Sequence, residues 1–335
     1  MESSLFIEPK STDAAFHFSA EEYLARRFAA DRKVFMIWRA ENCVMLGRNQ
    51  ITHMEVNLAE AERANVQVVR RSSGGGTIFT DMGTILISAI TAYRDGDDVK
   101  QMLSILSDPL IGAINKFGVE AGVQGRNDIF VNGKKISGMA QYIKEGILVS
   151  HCSLLFDTDL GRLAMVLRGD TSKIISKARI STHSHVTNLA EHMPISRGTG
   201  EFKDMLKASF VEDLNLTEYE LTEKDIREIH EIRLEKYAND DWNISSQPLF
   251  SYSNSRRFPG GKTDVHLYIE HGVIKNCSLR GDFLALLPIR ELEEKIEGRV
   301  YQRENIKKVL ASIDPGPYLG TITPDELLSC LFEQA

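Results

Sequence analysis

The chain has few cysteines, and their spacing is not that of a metal site. Four cysteines are spread over 335 residues: Cys43, Cys152, Cys277 and Cys330. No pair has the Cys-x-x-Cys spacing of a zinc ribbon, and the distribution does not suggest a disulfide scaffold. A reducing compartment is the simplest setting for such a chain, and we expect a cytoplasmic protein.

The sequence also lacks a long apolar run and an excess of basic residues. No segment approaches the roughly 18 apolar residues of a membrane-spanning helix, and Glu2 and Glu8 replace the basic start of a signal peptide. With 40 Lys and Arg against 47 Asp and Glu, the formal net charge is −7, which argues against a nucleic-acid-binding protein. We expect a monomer without membrane or nucleic-acid partners.

The two common nucleotide-binding motifs are missing. No Gly-x-Gly-x-x-Gly sequence opens a predicted helix, which argues against a Rossmann site. Gly261-Lys262-Thr263 has the ending of a P-loop, but Arg256 stands where the first glycine of that motif belongs. We interpret residues 261–263 as a turn.

The most informative segment present is a glycine-rich loop that follows two arginines, Arg70-Arg71-Ser72-Ser73-Gly74-Gly75-Gly76. Glycine allows positive φ and a close approach of the backbone to a ligand, and successive N–H groups can form a nest for a phosphate or carboxylate. The segment therefore predicts an anion-binding loop. A glycine-rich hairpin turn flanked by solvated charges is the alternative.

Hydrophobic periodicity predicts helices and strands without strict β-α-β alternation, which favours an α+β fold. Ser19 and Glu22 have the spacing of a capping box and predict a helix that continues toward Ala30. Asn132-Gly133 predicts a tight hairpin between strands at 128–131 and 135–143. The remaining predictions are strands at 34–38, 43–47, 66–69, 84–90 and 147–156, and helices at 55–64, 99–117, 160–167, 201–214 and 223–237.

Composition also predicts two domains. Residues 239–255 are rich in Asn, Ser and Asp and contain Pro248, as is typical of a domain linker. We expect a mixed-sheet domain over residues 1–245 and a small C-terminal α/β domain over 256–335. The small domain is expected to contain strands at 264–270 and 273–279 and three helices near Arg290, Glu304 and Asp325.

Three motifs, in this order along the chain, resemble the lipoate-protein ligase family: residues 70–76, Gly125-Arg126-Asn127-Asp128 and Lys135-Ile136-Ser137-Gly138. Supporting matches are Leu46-Gly47-Arg48-Asn49-Gln50, Ser150-His151 and Asp240-Asp241-Trp242-Asn243. The resemblance extends over nearly the whole chain. It implies a catalytic domain related to biotin-protein ligases, followed by the accessory domain that distinguishes the ligases from shorter acyltransferases.

The resemblance implies an enzyme that uses ATP to activate free lipoate as lipoyl-AMP, with release of pyrophosphate. The lipoyl group would then pass to a lysine of a carrier protein. Activation is needed because a carboxylate is a poor electrophile, and both steps need fixed positive donors around phosphate and carboxylate. The implied cofactors are ATP and Mg²⁺, and the implied carriers are lipoyl domains of 2-oxoacid dehydrogenases or a glycine-cleavage H-type protein.

The resemblance also implies roles for individual residues. Lys135 is the implied catalytic residue, since a fixed ammonium would stabilise oxyanion charge in both half-reactions. Asp128 is the implied Mg²⁺ ligand, with hairpin capping as the alternative. The implied ATP- or adenylate-binding residues are Arg71, Gly75, Gly76, Thr77, Ile78, Phe79, Asn127, Asp128 and Lys135. The implied lipoate-binding residues are Arg71, Ser73, Gly76, Lys135 and His151. Strand position adds Trp38, Val44, Leu46 and Ile78 as candidates for an apolar lipoate tunnel.

The chain departs from the family pattern at four positions. Thr80 stands where most members have His, Cys152 replaces Gly, and His183 and His185 each replace Arg. Neutral imidazole lacks the fixed charge of arginine, so contacts with phosphate or carrier are expected to be weaker. Cys152 raises a second hypothesis, an ATP-independent octanoyl or lipoyl transferase with an acyl-thioester intermediate. A carrier-binding paralogue without turnover is the third.

Overall fold

The computed structural model describes residues 3–50, 52–94, 96–98, 102–125, 127–162, 186–244, 251–270 and 272–333. The strands are β1 (Leu5–Ile7), β2 (Val34–Trp38), β3 (Cys43–Leu46), β4 (Gln67–Arg70), β5 (Ile78–Thr80), β6 (Thr84–Ala92), β7 (Gly122–Gln124), β8 (Asp128–Val131), β9 (Lys134–Lys144), β10 (Ile147–Leu155), β11 (Thr217–Glu218), β12 (Tyr252–Phe258), β13 (Gly261–Glu270) and β14 (Val273–Gly281). The α-helices are α1 (Ala14–Phe28), α2 (Thr52–Glu55), α3 (Leu58–Arg63), α4 (Ser104–Lys116), α5 (Thr199–Asp213), α6 (Glu223–Ile232), α7 (Asp240–Asn243), α8 (Ile289–Ile296), α9 (Arg303–Ala311), α10 (Gly316–Leu319) and α11 (Pro324–Phe332). A 3₁₀ turn covers Leu189–His192, and a π-helical turn covers Arg233–Tyr237.

A mixed sheet of eight described strands forms the centre of the molecule, in the order β11-β1-β2-β6-β10-β9-β8-β7. Strands β11, β1 and β2 are parallel to one another, and the remaining neighbours are antiparallel. Helices lie on both faces of this sheet. The predicted α+β fold with a mixed sheet is confirmed.

Strand β2 shows why both faces of the large sheet are covered. Its alternate residues Met36 and Trp38 pack in the same hydrophobic cluster as Phe18 of α1, whereas Phe35 packs on the other face with Phe210 of α5. Successive side chains of a strand point to opposite faces, so an all-apolar strand such as VFMIW is stable only between two layers.

A smaller sheet in the order β4-β3-β5 carries the glycine-rich loop. Strand β3 is parallel to β4 and antiparallel to β5. The loop, residues 71–77, leaves β4 after Arg70 and returns into β5 at Ile78. The small sheet therefore holds both ends of the segment that the sequence identifies as an anion-binding loop.

Strands β12, β13 and β14 form a third, antiparallel sheet. Together with α8 to α11 it makes the C-terminal unit, residues 251–333, which has a hydrophobic cluster of its own. Composition placed residues 252–255 in the linker, and that interpretation is wrong because they begin β12. The strand lies at the sheet edge with alternating exposure, where polar side chains are suitable because one strand side faces solvent. Gly261 to Thr263 begin β13 and are not themselves a turn.

Other differences from the sequence predictions arise at helix ends. Helix α1 begins five residues before Ser19, because the carboxylate of Asp13 accepts the N–H of Ala15 and caps it. Ser19 is inside the helix and donates to the carbonyl of Ala15. The single helix predicted at 55–64 is two helices, since Asn57 caps α3.

The Asn132-Gly133 hairpin is confirmed, with φ of 50° and 74° at the two residues as its turn type requires. The helix predicted at 223–237 changes to a π-helical turn after Ile232. The helix predicted at 160–167 lies mostly outside the described residues. Residues 99–101, the start of the helix predicted at 99–117, lie outside them as well. Among the described residues, no helix has the length and apolar character needed to span a membrane.

Candidate active site

A cavity of about 420 Å³ opens where the glycine-rich loop, the large sheet and the C-terminal unit meet. The loop and β5 line it with Arg71, Gly75, Gly76, Thr77, Ile78 and Phe79. The large sheet and the residue before β8 add Asn127, Asp128, Lys135, His151 and Cys152. The structure thus brings the predicted site residues to one cavity, except Ser73, which lies behind His151. One wall belongs to the C-terminal unit and includes Arg257, Phe258, Asp282 and Leu284.

Arg71 holds the glycine-rich loop in shape from within. Its Nε–H donates to the hydroxyl of Ser73, and Nη1–H donates to the carbonyl of Met45. Nη2 donates to the carbonyls of Gly74 and Gly76 at 2.7 and 2.8 Å. Burial, together with the charge of Arg70, lowers the pKa of Arg71 to about 10, so the guanidinium is still cationic at neutral pH. Its positive charge lies next to the loop, but most of its N–H groups donate to acceptors of the protein and are not directed at the cavity.

Arg70 has a similar role at the base of the loop. It is buried, and its guanidinium donates to the carbonyls of Gly47, Gln50 and Trp242 and to the hydroxyl of Thr52. These acceptors come from two separate segments of the chain, residues 47–52 and Trp242. Arg70 therefore ties the loop to α2 and α7, and its planar fork suits a set of acceptors spread in this way.

The loop glycines allow the C-terminal unit to approach closely. Gly75 has φ +91°, and its N–H donates to the carbonyl of Phe283 at 3.0 Å. A Cβ at Gly74 would lie 2.6 Å from that same carbonyl oxygen. Two further backbone bonds join the units, from Gly281 to Asn49 and from Ile143 to Leu286. The glycines are needed here for packing against the C-terminal unit as well as for exposing N–H groups.

Lys135 projects into the cavity from β9 and pairs with Asp128 of β8. Its Nζ lies 2.9 Å from Oδ1 of Asp128, and both side chains are about one-third exposed. Gly138 makes room for the ammonium, because a Cβ there would lie 2.9 Å from Nζ. Asn127 is turned toward the strand, and its Nδ2 donates to the carbonyl of Met139. A lysine and a carboxylate therefore face the same cavity next to the loop.

His151 connects the cavity to the loop through a buried hydrogen-bond chain. Its Nδ1 lies 3.1 Å from Oε1 of Glu21, and its Nε2 lies 2.6 Å from the hydroxyl of Ser73. Because the Glu21 carboxylate accepts at Nδ1, a neutral imidazole offers Nε2 as an acceptor to Ser73. Ser88 also donates to Glu21, and the indole of Trp38 donates to Ser88. These hydrogen bonds fix His151, Ser73 and Trp38 relative to one another.

An ion-pair cluster supports the loop from the opposite side. The carboxylate of Glu22 pairs with Lys144 and Lys236 at 2.7 and 2.8 Å, and with Arg26. Burial alone raises the pKa of Glu22, but Lys236 and Lys144 outweigh burial and lower it to about 2. Lys236 also donates to the hydroxyl of Ser72 at 2.9 Å, so the cluster is joined to the loop.

The apolar end of the cavity is lined by Phe18, Trp38, Met45, Ile78 and Leu86. Trp38 and Ile78 were predicted there. Val44 and Leu46 were predicted too, and that expectation is wrong because they pack on the other face of the small sheet with Val56 and Ala61. Side chains alternate along β3, so Met45 faces the cavity instead.

The departures from the family pattern lie in different surroundings. Thr80 is buried and does not line the cavity, while His183 and His185 are outside the described residues. Cys152 lines the cavity, and burial raises the pKa of its thiol to about 12. The thiol is therefore protonated at neutral pH, whereas the thiolate is the nucleophile in acyl transfer. The structure therefore does not favour the Cys152 transferase hypothesis.

The sequence did not identify three residues, Glu21, Arg257 and Asp282, as part of the site. Glu21 is 130 residues from His151 in the chain, and nothing in its local sequence marks it as a site residue. Arg257 and Asp282 become neighbours of the loop only through the docking of the C-terminal unit. A prediction from sequence needs a fold before it can place such residues.

An apolar pocket that ends at a cationic, glycine-rich loop and a lysine is suited to a ligand with an aliphatic body and an acidic head. Comparison with known proteins identifies the family to which such a site belongs. Residues 13–211 match the lipoyl protein ligase A/B catalytic domain family, and residues 247–331 match the bacterial lipoate protein ligase C-terminus family.

The chain is 35% identical over 332 residues to the lipoate-protein ligase LplJ of Bacillus subtilis, covering 98% of this chain and 100% of that protein. The chain therefore belongs to the lipoate-protein ligase family. The resemblance inferred from the motifs and the predicted enzyme class are confirmed.

Solved structures share this fold. LipL1 of P. falciparum, solved in complex with lipoate, matches with a TM-score of 0.79 at 20% identity over 97% of this chain and 98% of that chain. A bi-partite lipoate protein ligase of Thermoplasma acidophilum, described with its E2 lipoyl domain, matches with a TM-score of 0.66 at 25% identity over 75% and 100%. A lipoate-protein ligase A bound with ATP matches with a TM-score of 0.61 at 24% identity over 73% and 99%.

Proposed function

We propose that this protein activates free lipoate with ATP to form lipoyl-AMP, and then transfers the lipoyl group to a lysine of a carrier protein. The observation that carries the proposal is the position of Lys135, whose ammonium enters the same cavity as the glycine-rich loop. The apolar lining beyond it suits an aliphatic chain. The solved relatives bound with ATP and in complex with lipoate support the same pair of substrates.

In the first half-reaction, the lipoate carboxylate attacks the α-phosphorus of ATP, a new C–O–P bond forms, and pyrophosphate leaves. We assign the stabilisation of the developing negative charge to Lys135 and to the N–H groups of Gly76 and Thr77. A fixed ammonium and preorganised backbone donors are effective here because they need no reorientation during the reaction. Phe18, Trp38 and Met45 would surround the aliphatic chain and dithiolane of lipoate.

In the second half-reaction, the ε-amine of the carrier lysine attacks the acyl carbon of lipoyl-AMP. The C–N bond forms, the C–O bond to AMP breaks, AMP leaves, and the proton of the amine passes to solvent. We assign to Lys135 the stabilisation of the oxyanion formed at the acyl carbonyl. His151 would pack against the acyl end of lipoate, and Ser73, held by Arg71, would act by fixing His151 together with Glu21.

Asp128 is the residue that would hold Mg²⁺. Among the described residues, no group of three or more His, Cys, Asp or Glu could ligate a metal by itself. The carboxylate of Asp128, which lines the cavity, fits magnesium, which commonly takes one or two protein carboxylates and completes its shell with substrate phosphates and water. When bound, Mg²⁺ would neutralise phosphate charge, and Asp128 would have to share its carboxylate with Lys135.

We further propose a lipoyl domain as the carrier, since a relative has been described together with its E2 lipoyl domain. An H-type protein of glycine cleavage is a second carrier of the same chemistry. We also propose a monomer in the cytoplasm, with a catalytic domain over residues 1–245 and an accessory domain that begins with β12. The polar residues between α7 and β12 would join the two domains.

Intact-mass detection of a lipoylated lipoyl domain tests the proposal. The protein is incubated with free lipoate and the domain, with and without ATP and Mg²⁺. We expect a mass gain that requires ATP, that is lost in Lys135→Ala and that persists in Lys134→Ala, which removes the exposed neighbouring ammonium. Equal gain without ATP, or full activity of Lys135→Ala, would contradict the proposal.

A further inference from the structure

The C-terminal unit forms one wall of the cavity and is held there by backbone hydrogen bonds. The N–H of Gly75 donates to Phe283, and the N–H of Gly281 donates to Asn49. The first bond is made by the loop itself, and the second by the segment that follows β3. They place Arg257 of β12 and Asp282 next to Gly76, where an added Cβ would lie 3.8 Å from the Cβ of Asp282.

The charges at this cavity are unequally available to a ligand. Among the described residues that line it, the Lys and Arg side chains are Arg71, Lys135 and Arg257. Arg71 is 5% exposed and donates to four acceptors of the protein. Lys135 is paired with Asp128. A triphosphate carries several negative charges, so it would need a further donor beyond Lys135 and the backbone of the loop.

Arg257 has the geometry of such a donor. Its side chain is 66% exposed, and its Nη2 lies 3.1 Å from Oδ2 of Asp282. Asp282 is fixed in turn, because its Oδ1 accepts the N–H of Lys262. A guanidinium has five N–H donors in a rigid fork, so a bond to Asp282 orients Arg257 and leaves donors for a second acceptor.

We propose that Arg257 of the C-terminal unit binds the phosphates of ATP during adenylation, so that the C-terminal unit contributes a substrate-binding residue to the reaction. This inference rests on the proposed function. It adds a residue that lies outside residues 13–211, the part of the chain that matches the catalytic-domain family. Arg257 stabilises the charge on the phosphates as the α–β bridge breaks and pyrophosphate leaves. The transfer step uses lipoyl-AMP, which has lost the β- and γ-phosphates, and does not need Arg257.

The two half-reactions are measured separately for the full chain. Adenylation is followed as pyrophosphate release with lipoate and varied ATP, and transfer is followed with preformed lipoyl-AMP and a lipoyl domain. For Arg257→Ala we expect kcat/KM for ATP to fall about 10- to 100-fold, as for loss of one charge-assisted phosphate contact. Transfer from lipoyl-AMP should stay within about twofold of wild type. Arg257→Lys should recover part of the loss, since it retains charge without the fork.

Arg256→Ala is the matched control. Arg256 precedes Arg257 in β12, and its guanidinium pairs with Glu333 of the C-terminal unit. We expect it to leave kcat/KM for ATP within about twofold, because it removes a cation that does not line the cavity. Unchanged adenylation in Arg257→Ala, or equal losses in both half-reactions, would overturn the assignment of Arg257. Lipoylation of the lipoyl domain by the wild type from free lipoate without ATP would instead overturn the proposed function itself.

Discussion

Replacing Arg71 with lysine distinguishes an arginine that shapes the loop from one that binds phosphate directly. In the structure Arg71 donates to Ser73, Met45, Gly74 and Gly76. Lysine keeps the positive charge but places its three donors at one point, so it cannot reach four acceptors spread around a planar fork. The buried carbonyls of Met45 and Gly74 would lose hydrogen-bond donors.

The expected loss of unfolding free energy follows from those hydrogen bonds. A hydrogen bond to a charged group contributes about 1.5–3 kcal/mol, so two lost bonds with partial recovery by the ammonium give about 3 kcal/mol. For a domain of this size, that corresponds to a fall in the melting temperature of about 6–12 °C. KM for ATP should rise as well, because the N–H groups of the loop would no longer be held in place.

The assay compares thermal unfolding without ligands and KM for ATP in Arg71→Lys and in Arg63→Lys. Arg63 is a surface arginine whose side chain is 74% exposed and pairs with Glu60, and we expect a change within about 0.5 kcal/mol for it. A higher KM for ATP with an unchanged melting temperature in Arg71→Lys would refute the reasoning. It would show that Arg71 acts on the nucleotide directly.

Two further predictions concern Glu22 and Cys152. The folded pKa of Glu22 is about 2 against an ordinary value of 4.5, so its stabilisation is complete above pH 4.5 and is lost as pH falls toward 2. The difference in unfolding free energy between wild type and Glu22→Gln should shrink by about 2–3 kcal/mol over that range, and a pH-independent difference in urea unfolding would contradict this. Cys152→Ala should keep the rate of ATP-dependent lipoylation within about threefold of wild type. Loss of lipoylation in this variant, together with a covalent acyl-protein in the wild type, would restore the transferase hypothesis.

The sequence predicts much of the local structure that surrounds the site. The hairpin between β8 and β9 follows from Asn132-Gly133, since both residues must adopt positive φ. Most strands follow from apolar runs, and three glycines mark the loop. The start of α1 had a signal in Asp13 before an alanine and phenylalanine run, but the capping-box spacing at Ser19 was the competing pattern.

What the sequence does not predict is how segments far apart in the chain meet. Arg70 and Arg71 are the first residues of a recognisable motif. Their guanidinium N–H groups nevertheless point into the protein, because β3, α2 and α7 supply acceptors around them. Glu21 becomes a partner of His151 through the packing of α1 on the large sheet. Strand β12 was missed because a polar edge strand has the same composition as a linker.

Capture of the acyl-adenylate tests the central claim most directly. The protein is incubated with lipoate, ATP and Mg²⁺ without any carrier, quenched, and the small molecules are analysed by mass spectrometry. The account predicts lipoyl-AMP together with pyrophosphate, absent when lipoate is omitted and strongly reduced in Lys135→Ala. The absence of lipoyl-AMP from this incubation, while a parallel incubation with a lipoyl domain gives lipoylated carrier, would contradict it.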